Sequence, residues 1–152
     1  MNELIEEYLR TRGVRYFRGH RDDEYFYLVD TRVLTGPLRL NVRLHVHLAV
    51  CGAERDAVQI SITGDRYYPA AHSEVFQQAV SRWNAECHDV GALIQPSCDP
   101  ALVGVTAGSR YRGTDVGELS AFVEGAEAGA VQLLGLIGDL AAPLTPTLRN
   151  AG

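Results

Sequence analysis

The segment from Leu40 to Val50 constrains the fold more than any other part of this chain. Leu40, Val42, Leu44, Val46, Leu48 and Val50 are apolar, and Asn41, Arg43, His45 and His47 between them are polar. A period of two sustained this long is a strand with one face against a core and the other facing water, because successive side chains leave a strand on opposite sides. Cys51-Gly52-Ala53-Glu54 turns the chain, and Val58, Ile60 and Ile62 then alternate with Gln59, Ser61 and Thr63. This second strand is expected to pair antiparallel with the first, bringing Gln59, Ser61 and Thr63 beside the histidines.

The remaining elements follow from shorter patterns. Leu4, Ile5, Tyr8 and Leu9 predict a helix from Asn2 to Thr11, stopped at Gly13. Val14 to Arg18 reads as a short strand and Tyr25 to Val29 as an aromatic-rich one, with Asp30 to Pro37 a loop ending in Gly36-Pro37. After Pro69, Ser73 is the expected N-cap of a helix whose apolar stripe is Phe76, Ala79, Val80, Trp83 and Cys87. Val90 to Gln95 and Ala101 to Ala107 form two more strands. Asp115 caps a final helix, with Glu118 completing a capping box and a long apolar face running from Leu119 to Leu140. The predicted class is α+β: an antiparallel β-sheet with helices packed on one face, in the order α-β-β-β-α-β-β-α once the short first strand is set aside. Residues 1–141 make one domain. Pro143 and Pro146 mark residues 142–152 as a flexible C-terminal tail.

Several features agree with a known family. The Tyr67-Tyr68-Pro69 strand exit precedes a helix carrying Arg82-Trp83-Asn84, and Tyr111-Arg112-Gly113 leads into the helix with Glu118-Leu119-Ser120-Ala121-Phe122-Val123. In these steps and in element order the chain resembles the YbjN family, which shares its fold with type III secretion chaperones. The resemblance spans Met1 to about Ala141. It implies a non-enzymatic protein with the fold of acidic, dimeric, cytoplasmic chaperones that hold extended partner segments. It also marks Trp83 and Asn84 as structural motif residues. The YbjN family is described as a candidate sensory-transduction regulator with no agreed molecular activity.

Composition removes several function classes. The chain of 152 residues has a formal net charge of −5, which disfavours non-specific nucleic-acid binding. Arg10, Arg12, Arg15, Arg18 and Arg21 cluster near the N-terminus but are interspersed with acidic residues, so a solvated charge cluster is the preferred reading. The 14 basic side chains are all arginine, so no lysine is present to hold a phosphate, and no P-loop or GxGxxG occurs. No GxSxG sequence and no recognisable triad setting supports hydrolysis. Cys51, Cys87 and Cys98 form no CxxC pair, which excludes a disulfide framework or a four-cysteine zinc site. No basic-then-apolar leader opens the sequence, and the apolar run from Ala128 to Gly138 is shorter than the about 20 residues a bilayer needs. A cytoplasmic location without a membrane partner is the expectation.

What remains is the hydrophilic sheet face. Arg43, His45, His47, Gln59 and Ser61 are the candidate partner-binding residues, on a polar, mildly basic surface that could accept a protein partner or a second subunit. His45 and His47 share that face and could both reach one metal ion, giving a metal or small-molecule sensor as the alternative. No third ligand lies nearby in sequence, so no metal or cofactor is assigned. Ala121, Gly125 and Gly129 recur every four residues on the last helix and predict a close approach, preferably by a helix of the same chain.

Overall fold

The computed structural model describes the backbone of residues 1–35 and 38–144 and the side chains of residues 1–32 and 41–144. Helix α1 (Asn2–Arg12) ends at Gly13, whose φ of 77° is the left-handed conformation that a glycine takes without steric cost. Strands β1 (Tyr16–Arg18), β2 (Glu24–Thr35), β3 (Leu38–Cys51) and β4 (Ala57–Thr63) follow in antiparallel succession. A short β5 (Tyr68–Pro69) and a 3₁₀ turn (Ala70–His72) lead into α2 (Ser73–Ala85). Then come β6 (Gly91–Pro96), β7 (Leu102–Arg112) and α3 (Val116–Ala141).

Strand β7 pairs with β4 along one edge and with β6 along the other, since Ala107 faces both Ile62 and Ala92. Strand β5 meets β7 at Val103 and Leu102, beyond the end of β4, and so continues the line of β4. The seven strands among the described residues thus form one antiparallel sheet, with β1 and β6 at its margins. This is an α+β fold, an antiparallel sheet with its helices on one face.

The period-two segment behaves as its pattern requires. Val42, Leu44, Val46, Leu48 and Val50 are buried, while Asn41, Arg43 and His45 are exposed and His47 is half-buried. Val58, Ile60 and Ile62 continue the buried face across β4, and Val105, Ala107 and Tyr111 across β7. Helix α3 lies against this face over β2, β4 and β7 and meets α1 and α2. Leu119, Val123, Ala126, Ala130, Leu133 and Ile137 close the core from above. By length and composition α3 could cross a membrane, but its apolar stripe is the side packed on the sheet, as in a core helix.

Several expectations need correction. Residues from Asp30 onward do not form a loop: β2 continues to Thr35, in unbroken register with β3 as far as Leu38. Asp30 is a poor strand former and Gly36-Pro37 a loop signal, but Thr31, Val33 and Thr35 favour a strand, and pairing with the strongly patterned β3 carries it to Thr35. The Gly36-Pro37 turn lies outside the described residues, as does most of the 142–152 tail, of which only Ala142–Leu144 is described. Ser73 is the first residue of α2 rather than its cap, because the 3₁₀ turn delivers the chain into the helix and His72 takes the cap position without a side-chain bond. Cys87 is not on the α2 stripe: the helix stops at Ala85, and Cys87 is exposed with a left-handed φ of 56°.

At the start of α3, Asp115 accepts a hydrogen bond from the Glu118 N–H at 2.9 Å. The Glu118 carboxylate turns instead to the Tyr111 hydroxyl at 3.4 Å, so only half of the capping box forms. Within the chain, Gly125 and Gly129 of α3 are approached by the segment after α2, at Asp89 and Val90, rather than by a helix. A Cβ on Gly129 would lie 3.0 Å from Val90 Cγ2, so the close approach is made by the buried valine between α2 and β6.

Candidate functional site

The helix-free face of the sheet is built from rows of side chains running across the strands, because paired residues share a face. One row is Phe17, Phe26, His47, Ser61 and Gly108, set by the pairings of β1, β2, β3, β4 and β7. The next is Leu28, His45, Thr63, Thr106 and Leu93. Gln59 lies opposite Ala49 and Arg110 in a third row, and Arg43 lies opposite Asp30 in a fourth. The five candidate binding residues therefore share one face, within a few strand spacings of each other.

Their immediate contacts differ. Arg43 Nε donates to Asp30 Oδ1 at 2.9 Å in a solvent-exposed pair. His45 is exposed. The His47 ring stacks on Phe26, with centroids 4.5 Å apart and planes 15° apart. Its Nε2 is buried and lies 3.6 Å from Glu24 Oε1, within ion-pair range but beyond hydrogen-bond reach, so it has no hydrogen-bond partner. The Gln59 amide turns to the Ile60 carbonyl at 3.2 Å. Among the described residues, no three His, Cys, Asp or Glu side chains come together to hold one metal ion. The one acidic neighbour of His47 stands off from it, and the facing residues on β4 are Ser61 and Thr63.

The face is not the purely polar surface that the alternation of β3 predicts. Large apolar side chains stand exposed at both of its margins: Phe17 (61%), Phe26 (41%) and Leu28 (47%) on one side, and Leu93 (57%) on the other. Tyr67, also exposed, lies over Gly104, where a Cβ would touch its ring at 3.4 Å. Tyr67 borders a cleft of about 180 Å³ lined also by Thr63, Gln95, Gly104 and Thr106. The Thr106 hydroxyl donates to Gln95 Oε1 at 2.9 Å across the floor of that cleft. Gly108 and Gly91 carry no side chains, so the first row ends bare at the β7–β6 side, next to Leu93 in the second. The signal for this was present in Tyr25-Phe26-Tyr27-Leu28-Val29, an apolar run with no alternation. A strand of that kind has both faces apolar, yet only one of them lies under helices.

The helix-covered face holds a polar cluster that sequence reasoning missed. Glu127 of α3 is buried and takes a bidentate ion pair from Arg12 of α1, with N···O distances of 2.6 and 2.7 Å. The Tyr27 hydroxyl donates to Glu127 Oε1 at 2.8 Å, and Arg12 Nη1 also donates to the Tyr8 hydroxyl at 2.8 Å. The Glu127 hydrogen bonds raise the Arg12 guanidinium above its ordinary range, and burial raises the Tyr27 and Tyr8 hydroxyls above theirs. Arg12 thus leaves the N-terminal arginine cluster to tie α1, α3 and β2 together. Arg18 likewise pairs with Glu6 at 3.1 Å, which divides the basic patch further.

Trp83 and Asn84 hold α2 to the margin of the sheet. The Trp83 indole N–H donates to the Val90 carbonyl at 2.9 Å, and His88 stacks on the indole with centroids 3.5 Å apart. The Asn84 side chain donates to the Ala92 carbonyl at 3.0 Å and accepts from the Ala92 N–H at 2.7 Å. It thereby supplies one ladder step to the outer edge of β6.

No protein-family profile matches the chain, and no curated protein matches it by sequence. Two solved structures are similar in fold. YbjN of E. coli, a candidate transcription regulator, superimposes with a TM-score of 0.60 at 10% identity, over 88% of this chain and 87% of that one. An uncharacterized protein from Methanothermobacter thermautotrophicus gives a TM-score of 0.53 at 11% identity, over 93% and 99%. Neither neighbour is described as an enzyme, and at these identities what is shared is the YbjN-like fold.

Proposed function

We propose that this chain is a non-catalytic protein-binding or regulatory module, dimeric and cytoplasmic, whose helix-free sheet face receives a segment of a partner protein. The observation that carries this reading is the exposure of Phe17, Phe26, Leu28 and Leu93 on that single face, around the half-polar centre of His45, His47 and Ser61. Apolar side chains flanking a polar centre suit the alternating faces of an extended peptide or the side of a helix. A solvated sheet face with no partner has no need of aromatic rims.

Catalysis finds little support. Among the described residues no hydrogen bond joins a serine, threonine or cysteine to a histidine, so no activated nucleophile is assembled. The division of the N-terminal arginines by Glu127 and Glu6 weakens the case for a nucleic-acid partner.

The test is capture from cell extract on immobilised protein, comparing wild type with Phe26→Ser/Leu28→Ser and reading the bound proteins by quantitative mass spectrometry. A set of proteins held by wild type and lost by the variant is expected. Identical sets on both columns would refute the face as the binding surface.

A further inference from the structure

Strand β2 is longer than the strand that covers its outer edge. Its 12 residues pair with β3 throughout, but β1 reaches only Tyr25, Phe26 and Tyr27. From Leu28 to Thr35 that edge has no strand beside it among the described residues. On the far side of the hairpin β4 stops at Thr63, opposite His45, so the arm beyond is two-stranded with both edges open. Two strands alone are marginal in water, and an open edge is a template for another strand.

The direction of the backbone groups on this edge is fixed by two hydrogen bonds. The Gly19 N–H donates to the Glu24 carbonyl at 2.9 Å, toward β1, and the Val50 N–H donates to the Asp23 carbonyl at 3.0 Å, toward β3. Register is unbroken to Thr35, so alternate residues from Glu24 onward aim their N–H and C=O groups off the free edge. Leu28, Asp30, Arg32 and Leu34 are therefore the backbone positions that can take a new strand. Asp30 and Arg32 are both exposed and flank Thr31, and Arg32 makes no ion pair or hydrogen bond among the described residues.

We infer that this edge pairs with the same edge of a second copy, antiparallel, with Thr31 facing Thr31. That register sets Asp30 of each copy opposite Arg32 of the other, twice about the two-fold axis, and presents outward-aimed backbone groups to outward-aimed backbone groups. Shifting the two-fold by one residue either way puts Asp30 on Asp30 or Arg32 on Arg32, so charge selects a single register. The axis is normal to the sheet, which leaves both helix layers on one side and merges the two open faces into one surface. The inference rests on reading the chain as a dimer and assigns the contact that makes it.

Sedimentation equilibrium on the full chain tests it, with Asp30→Arg, Arg32→Asp, the Asp30→Arg/Arg32→Asp swap and Arg32→Pro. Each single reversal should weaken dimerisation by about tenfold, and the swap should restore it to within about threefold. Asp30 also pairs with Arg43, but both are exposed and that pair contributes little to folding. Arg32→Pro removes an N–H that points away from β3, so its circular dichroism should match wild type while the dimer is lost. A wild-type dimer indifferent to all four variants would overturn this edge and leave the dimer standing on another surface. A wild type that stays monomeric would overturn both. Protein capture abolished by Arg32→Pro in that monomer would reassign the edge to a strand from a different protein.

Discussion

Tyr27 and Leu28 are neighbours in one strand and live in opposite surroundings. Tyr27 is 1% exposed and donates to the buried Glu127 carboxylate of α3, while Leu28 is 47% exposed on the other side of the same backbone. The helix-covered face is sealed, and even its charged groups are paired there: Arg12, Glu127, Tyr27 and Tyr8 satisfy each other. The open face is the reverse, with apolar groups left in water and the buried His47 Nε2 without a hydrogen-bond partner. The contrast separates residues that hold the fold from residues free to do something else. Changes on the helix-covered face should move stability, and changes on the open face should move binding.

The largest effect should come from alkaline pH acting on the sealed face. Burial raises the Tyr8, Tyr27 and Tyr68 hydroxyls above their ordinary value of 10.0. The native state then keeps protons that the unfolded chain releases. Stability is fully present below about pH 10 and falls as pH rises toward the higher native values. Tyrosinate absorbance followed beside circular dichroism should show these tyrosines ionising together with unfolding. Smooth ionisation in a folded protein would break the picture of a sealed face.

Next in size is Glu127→Ala, which strands the Arg12 charge. Urea unfolding should show a loss of about 3 kcal/mol, and adding Arg12→Met should recover part of it, because a buried pair costs more to break than to replace. Asn84→Ala removes both bonds to Ala92 and should cost about 1–2 kcal/mol, with faster amide exchange at Ala92. The smallest effect on stability belongs to the open face: Phe26→Ser/Leu28→Ser should shift unfolding by less than about 1 kcal/mol. A loss as large as that of Glu127→Ala would mean these side chains belong to the fold.

How much of this could be read beforehand depended on how local the cause was. The one-sided sheet was legible because covering one face writes a period of two directly into β3 and β4. Gly13 and Asp115 were legible because helix ends have local chemistry. The length of β2 was not, since Asp30 and the coming Gly36-Pro37 read locally as a loop, and the pairing with β3 that extends the strand is not local. The Glu127 cluster was not, because its Arg12 partner lies 115 residues away and an isolated glutamate on a helix reads as solvent-facing. Of the candidate site, the face and its polar centre could be read from the histidines and their neighbours on β4. Its apolar rims were hidden, since an all-apolar run does not say which of its two faces the helices cover.

The most direct test places a photo-crosslinking phenylalanine derivative in the full chain inside cells, at Leu28 or Leu93 on the open face, or at Leu136 on the solvent side of α3. All three side chains are exposed, so accessibility alone does not distinguish them. Irradiation should give covalent adducts with another protein from Leu28 and Leu93 and none from Leu136. Adducts confined to Leu136, or equal from all three, would contradict the assignment of the open face as the surface that binds.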